Sequence, residues 1–169
     1  MKAHTLLVVT VMCWLTHAQS WAAEPPQWGP ITNNLQMSIA LADNRTNITV
    51  GEDFALTIRF RNLSTNKMIT VYQVNGTIYD PTYSFEIISP SGRDVSPDTK
   101  KLKPGDSGVV LFLVPHQIVD IRFDLGQLCK LGETGTYNIV ARKTLWSPTI
   151  RTTITVTSNP LSVRVVPDS

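Results

Sequence analysis

The segment Phe54 to Arg61 constrains this chain more than any other. Phe54, Leu56, Ile58 and Phe60 alternate with Ala55, Thr57, Arg59 and Arg61. A helix would scatter those four large apolar side chains around its circumference. An extended strand puts them all on one side. A strand with one oily face and one polar face needs a second layer to cover the oily side.

The same period recurs along the chain. Leu35, Met37, Ile39 and Leu41 form one set, and Ile48 with Val50 a short piece. Met68 to Val74 is β-branched and aromatic, as strands favour. Tyr83, Phe85 and Ile87 alternate up to the turn Ser89-Pro90-Ser91-Gly92. Val109 to Val114 is a continuous apolar run of strand length. Val119, Ile121 and Phe123 alternate with Asp120, Arg122 and Asp124. Tyr137, Ile139 and Ala141 share a face, and Ile150, Thr152, Ile154 and Val156 alternate near the end. Leu161, Val163 and Val165 continue that pattern after Asn159-Pro160. Proline cannot donate to a ladder, so this interruption reads as an edge or a bulge. Asn62 to Asn66, Arg93 to Lys103 and Leu145 to Pro148 read as loops, and Leu125 to Leu131 as a short helical turn. The pattern predicts an all-β fold, an antiparallel β-sandwich of about seven to nine strands.

The chain has 169 residues, and its start has the layout of an export signal. Lys2 is followed by the apolar run Leu6 to Leu15 and a small, polar tail, His17 to Ala23. The run is about half the ~20 residues that a membrane span needs. The expected organisation is a cleavable signal peptide over 1–23, an extended lead-in over 24–34 and one domain over 35–169. Trp28, beside Gly29-Pro30, is expected to plug one end of the sandwich. The expected location is secreted or periplasmic, with no membrane span after signal removal. The formal charge of +2 falls by one when Lys2 leaves, which argues against nucleic acid as a partner. Cys129 is then the one cysteine and His116 the one histidine, so no internal disulfide forms.

Gly135-Thr136-Tyr137 running into a late strand is similar to the tyrosine corner of immunoglobulin-like sandwiches, where the phenol bonds back to nearby backbone. Together with Phe54 to Asn62, Tyr83-Ser84-Phe85, Pro90-Ser91-Gly92 and Pro104-Gly105, it makes the chain resemble secreted bacterial immunoglobulin-like domains. Ile139 stands where antibody domains carry a cysteine. The strand order also resembles the small bacterial proteinase-inhibitor sandwiches of the intracellular Bacillus type. These likenesses imply an immunoglobulin-like sandwich and, as an alternative function, an inhibitor presenting the loop Arg93–Lys103.

Chemistry-bearing residues are sparse. Four nitrogen or sulfur ligands make a typical zinc site, and one Cys with one His falls short. No phosphate loop, dinucleotide fingerprint or nucleophile elbow occurs, so no catalytic residue, metal or cofactor is assigned. Glu52, Asp53, Asp80, Asp94, Asp98 and Asp106 lie on turns, but without a calcium-loop pattern. Cys129 reads either as a free reactive thiol or as a small packed hydrophobe. Leu125, Leu128 and Leu131 around it favour the second. The ligand-binding expectation falls on the aromatics Trp146, Tyr79 and Tyr72 and the basic residues Lys100 and Lys101. Asn44, Asn47, Asn62 and Asn75 each open an Asn-x-Ser/Thr acceptor. The reading is a secreted, non-enzymatic module that binds a protein or carbohydrate partner.

Overall fold

The structure, a computed structural model, describes residues 26–74, 82–99, 108–147 and 152–168. The signal peptide, Tyr79, Lys100 and Lys101 lie outside the described residues.

The fold is all-β. Its strands are β1 (Leu35–Leu41), β2 (Asn47–Thr49), β3 (Leu56–Asn62), β4 (Ile69–Val74), β5 (Tyr83–Ile88), β6 (Gly108–Leu113), β7 (Ile118–Phe123), β8 (Gly135–Ser147), β9 (Thr152–Thr157) and β10 (Leu161–Val166). Helical structure among the described residues is of 3-10 type, in the turns Ala42–Asn44 and Leu125–Gln127 and at Thr99. One sheet runs β1-β3-β7. The second runs β2-β10-β8-β5, with β9 also on β8, and β4 pairs with β6 as a separate ribbon. Every pairing is antiparallel except β2 with β10. The ten strands among the described residues exceed the seven to nine expected. Ser158-Asn159-Pro160 divides one long strand into β9 and β10, and the short β2 counts separately.

Alternation explains the core. Leu56, Ile58 and Phe60 of β3 are buried, and Thr57, Arg59 and Arg61 between them are half-buried on the outer face. Tyr83, Phe85 and Ile87 with Tyr137, Ile139 and Ala141 close over them from the second sheet. Phe123 meets Phe85 at 4.8 Å and Tyr83 at 5.3 Å between ring centroids. This aromatic group joins the sheets through β7 and β5.

β1 departs from simple alternation, because Gln36 and Ser38 on its outer face are buried too. The lead-in covers them. Trp28 lies against the Arg61 guanidinium, 4.3 Å from the ring centroid, and is half-buried. Gln36 receives a bond from Arg61 at 2.6 Å and donates to the Gly29 carbonyl at 2.9 Å. Trp28 therefore lies on the outer face of the first sheet and does not plug an end of the sandwich. The sequence motif could not reveal the cation–π contact with a residue 33 positions away in the chain. Gly29 fits where no side chain would, since a Cβ there would stand 2.1 Å from the Thr157 carbonyl oxygen.

Asn159 closes the gap between the sheets. Its Oδ1 accepts the Ile39 N–H at 2.8 Å and its Nδ2 donates to the Ile39 carbonyl at 3.3 Å. One side-chain amide thus stands in for a neighbouring strand at Ile39, on the edge of β1 where the Gly29 N–H also donates to the Met37 carbonyl at 2.9 Å. The break at Asn159-Pro160 is the device that lets Asn159 turn inward.

Candidate interaction surface

The two sheets share a polarity. β3 and β8 begin at one end, where the Gly51 N–H donates to the Leu131 carbonyl at 3.0 Å and the Gly126 N–H to Phe54 at 2.7 Å. That end carries charge pairs. Arg45 meets Glu52 at 2.6 Å, Arg122 meets Asp43 at 3.1 Å, and Lys130 pairs with Asp53. The Tyr137 hydroxyl accepts the Glu133 N–H at 2.9 Å in the same region. Gly135 there has φ +129, and a Cβ on it would meet Pro90 at 2.8 Å.

Cys129 also lies at the charged end, half-buried, with its Sγ 3.7 Å from the Leu125 carbonyl. Burial pushes its thiol up to about 11, against a weaker lowering by Lys130. At pH 8 an unfolded thiol of pKa about 8.5 is roughly a quarter thiolate, and the folded one about a thousandth. Alkylation of the native protein at pH 8 is expected to run on the order of 100-fold slower than in denaturant. Equal rates in mass-spectrometric time courses would show an open, activated thiol instead. His116 sits in the turn between β6 and β7, at the other end of β7, so it cannot pair with Cys129. Among the described residues no group of three or more His, Cys, Asp or Glu is placed to hold a metal ion.

The opposite end is where β1 starts, β3 finishes, β7 starts and β8 finishes. Here the large apolar side chains Ile31, Met68, Phe112, Val114, Ile118 and Trp146 are 49 to 62% exposed. They come from separate segments. Ile31 ends the lead-in. Met68 precedes β4 and Val114 follows β6, flanking the Ile69–Leu113 pair. Phe112 faces outward on β6, and Ile118 opens β7 beyond a turn closed by Gln117 N–H to the Val114 carbonyl at 3.1 Å.

β6 is the informative element. An apolar run such as Val109 to Val114 suits a strand covered on both faces. In the structure Leu113 is buried and Leu111 half-buried, while Phe112 and Val114 face solvent. The sequence supplied the signal, an outward face with no polar residues, although the site residues drawn from it were elsewhere. Of those, Trp146 is exposed at this end, on β8 and not in a loop, because β8 continues to Ser147 and pairs Trp146 with Thr153. Tyr72 lies in β4 opposite Val110.

No protein-family model matches the chain, and no curated protein is similar to it in sequence. The likeness to proteinase inhibitors therefore finds no support there. Among solved structures the chain is similar to the β-glucosidase of Listeria innocua. The complex with isofagomine gives 10% identity and a TM-score of 0.40 over 79% of this chain. The glucose complex gives 11% and 0.40 over 78%. In each case the chain spans 16% of the enzyme's length. A likeness of that size carries no argument about activity.

Proposed function

We propose that this chain is a secreted, non-enzymatic, immunoglobulin-like module that docks a protein partner through its apolar end. The carrying observation is that six large apolar side chains from separate segments are exposed together at one end of the sandwich. Singly exposed apolar residues need no explanation, but a group confined to one end favours an interaction surface. Ile31, Met68, Val114 and Ile118 have no side-chain hydrogen-bonding groups, and so suit a protein surface better than a hydroxyl-rich sugar. The export-signal layout of residues 1–23 supports a site of action outside the cytoplasm.

The alternative, an inhibitor presenting Arg93–Lys103, has less support. The described part of that segment is tied down along β5. The Ser89 N–H donates to the Arg93 carbonyl, and the Val95 N–H to Ile87, both at 2.9 Å. The Ile87 N–H donates to Ser96 Oγ at 2.8 Å and Thr99 Oγ1 to the Tyr83 carbonyl at 2.9 Å. A substrate-like loop needs to stand clear of its scaffold.

The test uses the mature chain immobilised against the extracellular fraction of its own host. A Phe112→Asp exchange on this exposed site is expected to leave the melting temperature within a few degrees. It should weaken retention of the partner by about tenfold or more, as loss of a buried aromatic anchor does. Unchanged retention would place the docking surface elsewhere.

A further inference from the structure

β7 is an edge strand whose inner side pairs with β3. The direction of its backbone groups follows from a single bond. Ile39 turns its N–H and C=O away from β3, toward Asn159. In antiparallel ladders these directions alternate along each strand. Ile58, opposite Ile39, therefore turns its groups toward β7, and Ile121, opposite Ile58, turns its own back to β3. Asp120 and Arg122, on either side of Ile121, present their N–H and C=O outward, as does Ile118. Among the described residues no backbone partner takes these outward groups.

We propose that β7 pairs with β7 of a second copy of this chain, antiparallel about a two-fold axis through Ile121. Charge selects both the occupant and the register. With the axis at Ile121, Asp120 of each copy stands opposite Arg122 of the other, in the hydrogen-bonded positions where neighbouring side chains interact. Moving the axis by one residue sets Asp120 against its own copy, or Arg122 against its own, and both arrangements repel. Charges of a single sign on an edge strand would exclude a second chain. Alternating signs two residues apart instead complement themselves when the strand is reversed.

The charge pairs already present extend across this junction. Arg59 bonds Asp120 through two contacts at 2.6 Å, and Arg122 bonds Asp43 at 3.1 Å. All lie on the outer face of the first sheet, so the dimer joins them into a ladder of alternating sign. The product is a continuous six-stranded sheet, with the two apolar ends pointing in opposite directions. Such a dimer engages two partners at once.

The test is the mass in solution of the mature chain, by light scattering, over a concentration series reaching the millimolar range. The native protein is expected to reach twice its monomer mass. Arg122→Pro removes an outward N–H that the monomer does not use, since proline is tolerated on that side of an edge strand. It is expected to stay folded, as judged by thermal denaturation, and monomeric. Arg122→Asp, with two acids on its edge, is also expected to be monomeric. Mixing it with Asp120→Arg, which has two bases, should restore the doubled mass. A native protein that stays monomeric throughout overturns the proposal, as does Arg122→Pro dimerising like the native chain. Loss in both single variants with no recovery on mixing overturns the register.

Discussion

Replacing Asn62 by alanine is expected to destabilise the protein by about 3 kcal/mol. Asn62 closes β3 and is fully buried. Its Nδ2 donates to the Lys67 carbonyl at 2.8 Å and to the Leu113 carbonyl at 2.9 Å, and its Oδ1 accepts the Ser64 N–H at 2.8 Å. Its backbone N–H donates to Gln117 at 3.0 Å. One side chain thus holds the loop after β3 and the finish of β6, and the backbone adds the turn into β7. Alanine leaves the Leu113 carbonyl and the Ser64 N–H without this partner, each costing about 1–3 kcal/mol if unsatisfied, while the Lys67 carbonyl keeps the Ser64 hydroxyl. For a domain of this size the melting temperature should fall by roughly 6–12 °C. Asn62→Asp keeps the acceptor but sets a carboxylate against two carbonyl oxygens, so it should be no milder. A fall below about 1 kcal/mol in urea titrations would mean that the amide is dispensable. The same segments carry Met68, Val114 and Ile118, so the proposed partner docking should weaken along with stability.

Asn62 also marks what a sequence conceals. Asn62-Leu63-Ser64 reads as a loop with a glycan acceptor, because asparagine and serine favour turns. In the folded chain its amide is committed to three backbone partners and has no room for a sugar. Local composition cannot distinguish a polar residue facing water from one that satisfies buried backbone. Gln36 and Asn159 are buried for similar reasons, under the lead-in and across the gap between the sheets.

The strands themselves were legible, because a period of two with one apolar face is a direct consequence of extended backbone over a core. Phe54 to Arg61 and Tyr83 to Ile87 fall where alternation puts them, as does the single turn after β7. Leu145 to Pro148 reads as a loop, yet pairing with β9 carries β8 through Trp146 to Ser147. Pairing within the β8–β9 hairpin overrides a local turn signal there. The apolar end was less legible than the fold. It is assembled from residues as far apart as Ile31 and Trp146. Only the unbroken apolar run of β6 hinted at it, and such a run alone reads equally well as a fully covered strand.

The other large effect is expected at Phe123. Its ring is almost wholly buried, between β7 of one sheet and Tyr83 and Phe85 of the other. Phe123→Ala should destabilise by about 3–5 kcal/mol, combining lost transfer energy with the cavity left among rings that cannot collapse onto alanine. Phe123→Leu keeps most of the volume and should cost roughly 1–2 kcal/mol, forfeiting mainly the ring geometry. Both are read as urea midpoints followed by tryptophan fluorescence. The ratio matters more than either value. If leucine were as damaging as alanine, the contact would depend on aromatic geometry, not on filling space. If both were mild, the sheets would be held by Ile58, Ile87 and Ile139, with the aromatic group peripheral. A large effect for alanine and a small one for leucine is what two layers packed over one core require. Because Phe123 lies next to Arg122, with its ring turned inward while Arg122 faces solvent, the same substitution should also loosen the edge through which two copies pair.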